Sequence, residues 1–436
     1  MATQDITTRS TPASSVSSDS ATPSYARPLA VVTTLFFMWG FLTSLNDILI
    51  PHLKSIFDLS YTRAMLIQFA FFSAYFLFSL PWSKAVNIIG YQRSMVAGLL
   101  TMTVGAYLFI PAASTASYPL FLTALVILAC GITGLQVAAN PYVVVLGKPQ
   151  TASSRLDLTQ AFNSLGTTIG PKIGGWLILS AAPLALEQLH QLTPQALQAY
   201  RVQEAASVKM PYTVIGVALL LLTVLIGTSR LPKIATTHAE QKSDDTIWKH
   251  PSLTLAALGI FTYVGAEVSI GSFLVNYFGL PEVRSLSAKT AAGFVSFYWG
   301  GAMIGRFLGA GILRKVRAGY VLAFCAIAAA TLVTVSMLTG GYTAMWAILA
   351  VGLFNSIMFP TIFSLGMAEL GALTGSGSGL LNMAIVGGAI VPLLVGAMAD
   401  RVGLHHAFVI PVICYLYILY YGLSGSKPNS ERYAKA

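Results

Sequence analysis

The stretch FLTSLNDILIP, residues 41–51, decides how this chain is to be read. It continues an apolar run, LAVVTTLFFMWGF (29–41), and places Asn46 and Asp47 inside that run. About 20 apolar residues in a helix cover the hydrocarbon of a bilayer, so a run of this length reads as a membrane span. An ionised carboxylate facing lipid costs about 2.5–3.5 kcal/mol on insertion scales. Asp47 therefore needs a cavity or a partner within a bundle of helices, and a single span cannot supply either.

The rest of the chain supplies the bundle. Of its 436 residues, 55% are hydrophobic and only 9% are charged, with a mean hydropathy of +0.72. Soluble domains carry roughly 25% charged residues, and so few charges cannot coat a water-facing surface of this size. Twelve spans follow from the apolar runs: 28–52, 61–86, 91–112, 117–147, 154–181, 209–230, 251–280, 287–313, 317–338, 342–368, 373–400 and 403–425. The fold class is all-α integral membrane. Residues 1–27, rich in Ser and Thr, form a tail with no cleaved-leader pattern. Spans 28–230 and 251–425 make two six-helix halves, joined by a solvated linker at 231–250 and followed by a short tail at 426–436.

Basic residues orient the spans. With both termini inside, the inner side holds Arg9, Arg27, Lys84, Arg93, Lys148, Arg155, Lys233, Lys242, Lys249, Arg314, Lys315, Arg317, Lys427, Arg432 and Lys435. The outer side holds fewer: Lys54, Arg63, Arg201, Lys209, Arg284, Lys289 and Arg401. Both termini are therefore expected in the cytoplasm. The net charge of +10 is spread between apolar runs and forms no stripe, so it does not suggest nucleic acid. Cys130, Cys325 and Cys414 lie inside apolar runs without paired spacing and read as small core residues. No Ser/His/Asp set, P-loop or metal spacing is present, which argues against an enzyme and against ATP-driven transport.

A shift of 219 relates the halves. It puts Pro141 on Pro360, Gln136 on Asn355 and Asn163 on Asn382, and a shift of 220 puts Asp47 on Glu267. A parallel repeat of two bundles predicts a site near the bilayer midplane, where the halves meet. Asp47 and Glu267 are the candidate cation-coupling carboxylates. Asn46, Gln68, Gln136, Asn140, Gln160, Asn163, Asn276, Asn355 and Asn382 are the candidate substrate-binding amides, since an amide both donates and accepts and can serve a sugar hydroxyl. The competing reading for any one amide is a bond between helices, worth about 0.6 kcal/mol on average. Trp299 is the candidate aromatic contact, with Trp39, Tyr263, Phe297 and Tyr298 as further rings that would cover the apolar face of a pyranose. Gly166, Gly170 and Gly174, and Gly301, Gly305 and Gly309, line one face each of spans 5 and 8 and predict close contact between those two spans, either sliding or static.

The segments LNDILIPHLKSIFDL, LIQFAFFSAYF, GITGLQVAANPYVVVLG, SSRLDLTQAFNSLGTTIGP and YVGAEVSIGSFLVNY resemble the fucose/galactose/glucose:cation symporter family of the major facilitator superfamily. The resemblance is nearest to the bacterial glucose/galactose permeases. It implies import of hexoses, glucose and galactose with mannose a further candidate, by symport with a cation through alternating access, in the inner membrane and as a monomer. It implies no resident cofactor, only hexose, co-transported ion and lipid as partners. Asp47 matches the family's acid in span 1. Gln136 stands where the fucose branch has an acid in span 4, which favours sodium over a proton, with Asp47 as the candidate sodium ligand. Gln160 and Asn163 match the sugar-contacting pair of the family, and Ser44 stands where the fucose branch has an amide. Two alternatives stay open: an uncoupled hexose facilitator, and a proton-coupled fucose-type permease.

Overall fold

The computed structural model describes residues 25–57, 61–178, 191–232, 246–286, 288–368 and 370–427, with the side chains of 45–52 (45 to Pro51 and His52), 54–55, 61–68, 171–172, 174–178, 288–289 and 292 outside the description. Every regular element among these residues is helical. Spans 1 to 5 are Ala26–Phe57, Tyr61–Ile89, Tyr91–Thr115, Tyr118–Val145 and Ala152–Ile178, and span 6 is Lys209–Thr228. Spans 7 to 9 are Pro251–Gly279, Ala288–Ile312 and Ala318–Leu338. Span 10 comes in two pieces, Gly341–Asn355 and Met358–Gly366. Span 11 runs through Thr374–Met383 and Gly387–Val402, and span 12 through Leu404–Ala407 and Val409–Tyr420 into a wide turn at Tyr421–Gly425. Nine stretches among the described residues are by themselves long and apolar enough to cross a membrane. Spans 2, 5 and 8 complete the set of twelve, and all three pack at the junction of the halves.

A short amphipathic helix, Pro194–Ala206, precedes span 6, and Thr193 caps it by accepting the Ala196 N–H at 3.3 Å. Span 1 does not stop near residue 52. It continues through Pro51 to Phe57, so Asp47 lies ten residues from the helix end, about 15 Å at the helical rise.

The prolines explain why span 10 is broken. Proline has no N–H and cannot bond the carbonyl four residues earlier. Behind Pro360 that carbonyl belongs to Ser356, at the break, and it accepts from Arg306 Nε of span 8 at 3.1 Å. Behind Pro141 it belongs to Val137, and it accepts from Ser378 Oγ of span 11 at 2.9 Å. The two repeat-related prolines thus leave two repeat-related acceptors, and each is satisfied by a side chain from another helix.

The glycine faces do not do what their spacing suggested. A Cβ on Gly166 would strike the Phe37 carbonyl, and one on Gly170 would strike Ser44 Oγ, so span 5 presses its glycines on span 1 of its own half. Gly301 and Gly305 face Leu353, and Gly305 also Ser356, in span 10. Spans 5 and 8 do meet, through Phe162 on Phe307 and Thr168 on Met303; Gly174 lies outside the described contacts, and of the other glycines of the two series only Gly309 takes part. Glycine permits close backbone approach, and that approach is used to consolidate each half.

The halves are joined toward the end of the bundle where span 6 finishes and span 7 starts, here called the linker side. Ser83 Oγ donates to the Gly375 carbonyl at 2.8 Å and Asn87 Nδ2 to Ser376 Oγ at 3.2 Å, from span 2 to span 11. Ser153 Oγ meets Ser364 Oγ at 2.6 Å, and Ser154 Oγ donates to the Ala310 carbonyl at 2.6 Å. These four contacts lie in the last two or three turns of their helices, so the bundle is closed on the linker side.

Candidate functional site

The polar residues of the C-terminal half gather around Glu267, near the middle of span 7. Tyr263 sits one turn before it and donates its hydroxyl to Glu267 Oε1 at 2.7 Å, as residues four apart on one helix face can. Tyr298 of span 8 is fully buried and accepts from Asn355 Nδ2 of span 10 at 2.8 Å. Tyr415 of span 12 lies beside Asn355, Tyr298 and Glu267. Tyr415 Oη and Asn355 Oδ1 are both buried without a hydrogen-bond partner among the described residues. Four helices thereby converge on one carboxylate.

The N-terminal half repeats the motif. Gln136 Nε2 of span 4 donates to Tyr75 Oη of span 2 at 2.7 Å, as Asn355 of span 10 does to Tyr298 of span 8. Gln160 Nε2 reaches Asn140 Oδ1 at 3.5 Å, a long contact. Asn163 Nδ2 donates to the Phe36 carbonyl of span 1 at 2.9 Å, tying span 5 to span 1. The repeat ends there: Asn382 Nδ2 turns to its own helix, to the Ser378 carbonyl at 2.9 Å. Asn140 Nδ2 and Asn382 Oδ1 are buried with no partner among the described residues. Buried polar groups nearly always have partners, so such atoms need a reason.

Arg306 of span 8 connects the two sets. Besides capping Ser356, its Nη1 donates to the Gln160 carbonyl at 3.3 Å and to Ser164 Oγ, both on span 5. It lies near Glu267 and also near Asp157 of span 5. Asp157 is fully buried, and neither carboxylate oxygen has a hydrogen-bond partner.

Of the expected site residues, Gln136, Asn140, Gln160, Asn163, Asn355 and Asn382 are all buried in the two halves, and Glu267 is part-exposed at the centre of its cluster. Asn276 is exposed and lies nine residues past Glu267 on span 7, away from that cluster. Trp299 is 43% exposed, set edge-on to Tyr298 and close to Gly271. Trp39 is buried against Phe36, and Phe297 packs on Trp346, both of them exposed. Asn46, Asp47 and Gln68 lie on described helices, but their side chains fall outside the described residues.

Sequence reasoning missed Asp157, Arg306 and Tyr75. Asp157 stands three residues before Gln160 and Arg306 sits within the second glycine series, so both were visible as intramembrane charges. Two cavities are found elsewhere. One, about 490 Å³, lies between spans 1 and 5 beside Thr33, Phe37 and Phe162. The other, about 470 Å³, opens on the linker side between Ser153, Arg317, Ser364 and Lys427.

A family model, the Major Facilitator Superfamily, matches residues 32–392. The chain belongs to the Major Facilitator Superfamily. It is 52% identical to a glucose/galactose transporter of Brucella abortus over 410 residues, covering 94% of this chain and 96% of that one. It is 44% identical to a putative glucose/galactose transporter of Helicobacter pylori, covering 92% and 98%. The crystal structure of FucP, the fucose:proton symporter of Escherichia coli, in the outward conformation superimposes with a TM-score of 0.86 at 34% identity, covering 92% of this chain and 99% of that one. Within the superfamily the chain falls in the fucose/galactose/glucose symporter family, as the resemblance implied. It is a multi-pass membrane transporter.

Proposed function

We propose that this protein imports hexoses, glucose and galactose first, by symport with a cation through alternating access. The observation that carries the reading is the repeated amide–tyrosine pair, Gln136 with Tyr75 in one bundle and Asn355 with Tyr298, beside Glu267, in the other. Amides and phenols offer both donors and acceptors, which a ring of hydroxyl groups requires. Asn163 and Gln160 extend this surface from the N-terminal half, and Trp299 offers an exposed ring for the apolar face of a sugar. The glucose/galactose relatives favour these two hexoses over fucose, and so does Ser44 in place of an amide.

Asp47 and Glu267 are the coupling carboxylates. Binding a proton or a sodium ion removes the cost of closing a dry cavity around a bare charge. Sodium has a specific support at span 1. Pro51 lacks the N–H that would pair with the Asp47 carbonyl within the helix, and a backbone oxygen without its helical donor suits an alkali cation. With Asp47 at mid-depth and both termini in the cytoplasm of a bacterial cell, the linker side is the cytoplasmic side. The present state is then outward-facing. The protein works as a monomer in the inner membrane, with no resident cofactor.

The test is uptake of labelled glucose by the purified protein in liposomes, with galactose, mannose and fucose as competitors. The account expects galactose to compete best and fucose least. Uptake blocked by fucose but not by galactose would overturn the substrate assignment.

A further inference from the structure

We propose that Asp157 is a proton-binding site of the linker-side gate: closing the gate takes up one proton at this carboxylate, and opening releases it. The inference does not depend on which sugar or coupling ion the carrier moves.

Asp157 lies about 8 Å inside the linker-side end of span 5, five residues from Ala152. It is 0% exposed, and neither oxygen has a hydrogen-bond partner among the described residues. One oxygen faces the bare backbone of the opposite half: a Cβ on Gly309 of span 8 would come within 2.6 Å of Asp157 Oδ2. Inter-half bonds bracket it along span 5, Ser154 to the Ala310 carbonyl on one side and Arg306 to the Gln160 carbonyl on the other. Asp157 cannot stay covered if spans 5 and 8 part.

The groups facing it do not neutralise a charge by contact. Arg306 of span 8 is near, but it donates to the Ser356 and Gln160 carbonyls and to Ser164 Oγ, and neither Asp157 oxygen accepts from it. Cys325 of span 9 is a buried thiol, and Ile357 of span 10 packs at the same glycine. On span 5 itself, the Arg155 guanidinium turns away to the Val143, Val144 and Lys148 carbonyls and to Thr151. A charged carboxylate shut into this setting keeps none of the solvation it has in water, whereas a protonated one loses much less. A sodium ion, a hard cation, would need several oxygen ligands arranged around it at once. A proton needs only one. Separation of the halves returns Asp157 to water on the linker side, where a carboxylic acid is ionised at neutral pH.

By linkage, a closure that binds one proton shifts the closed-to-open ratio by up to tenfold per pH unit, in favour of closed as pH falls. The experiment is a spin-label distance measurement in lipid nanodiscs, across pH, with labels on cysteines at the exposed positions Lys84 and Lys315 on the linker side of the two halves. The three native cysteines are replaced by alanine. The wild-type background is expected to lose closed population by several-fold per unit as pH rises. Asp157→Asn should favour the closed state and lose the part of the pH slope that one proton supplies, and Asp157→Ser, kept as a second variant in case the first does not fold, should lose it as well. A pH-independent ratio in the wild-type background overturns the proposal. So does an unchanged slope in either variant.

Discussion

The bond from Ser378 to Val137 offers a direct perturbation of the gate. Ser378 Oγ, on span 11, donates to the Val137 carbonyl of span 4 at 2.9 Å, and Ser378 is fully buried. Val137 has no alternative donor in its own helix, because residue 141 is proline. Ser378→Ala therefore leaves a buried acceptor unpaired in the linker-closed state, at a cost of about 1–3 kcal/mol. When the halves separate, water can reach the carbonyl and the cost disappears. The variant should thus move the equilibrium toward linker-open by about 5- to 150-fold. Labels at Lys84 and Lys315 would read the change as growth of the longer distance. Asn382 should be little affected, since its better bond is to the Ser378 backbone carbonyl, which alanine keeps. A closed population within about twofold of the wild type, less than the lower bound of this penalty, would refute the claim that this bond holds the gate.

Other substitutions test other parts of the account. Glu267→Gln can still accept from Tyr263 but cannot ionise, so proteoliposome assays should show exchange retained and gradient-driven accumulation lost; retained accumulation would remove Glu267 from the coupling role. Asp47→Asn should abolish concentrative uptake in the same assay. Arg306→Ala uncaps Ser356 behind Pro360 and cuts the ties to span 5, so melting in detergent should show a loss of about 1.5–3 kcal/mol or more, only partly recovered by Arg306→Lys because the planar fork is absent. Gly170→Ala forces span 5 off Ser44 of span 1 and should cost about 1–3 kcal/mol, whereas Gly300→Ala, which meets nothing within 4 Å, should leave the melting temperature unchanged or raised.

The twelve spans and their division into halves were readable because lipid imposes a simple length rule on apolar runs, and the offset of 219 pointed to pairs that turned out to share their bonding. Gln136 and Asn355 each bond a tyrosine, and Pro141 and Pro360 each free a carbonyl that a distant side chain takes up. Partners were not readable. Tyr75 and Arg306 lie far in sequence from the groups they bond, and only packing brings them together. The glycine series showed that spans 5 and 8 had smooth faces but not what lay against them, since spacing gives a face and not a neighbour. Asn276 shows another limit: the sequence places an amide on span 7 but does not say that it stands exposed, apart from the cluster around Glu267. Asp157 lies within SSRLDLTQAFNSLGTTIGP, but its isolation from donors is set by the helices packed around it and not by its own segment.

The central claim is that sugar movement is tied to a cation gradient. The measurement that tests it most directly is the steady-state ratio of internal to external labelled glucose in proteoliposomes, with proton and sodium gradients imposed one at a time and then collapsed by an ionophore. The account predicts a ratio above one under at least one of the two gradients, falling to one on collapse. A ratio that stays at one under both gradients, while glucose still equilibrates quickly, would make the protein an uncoupled facilitator and contradict it.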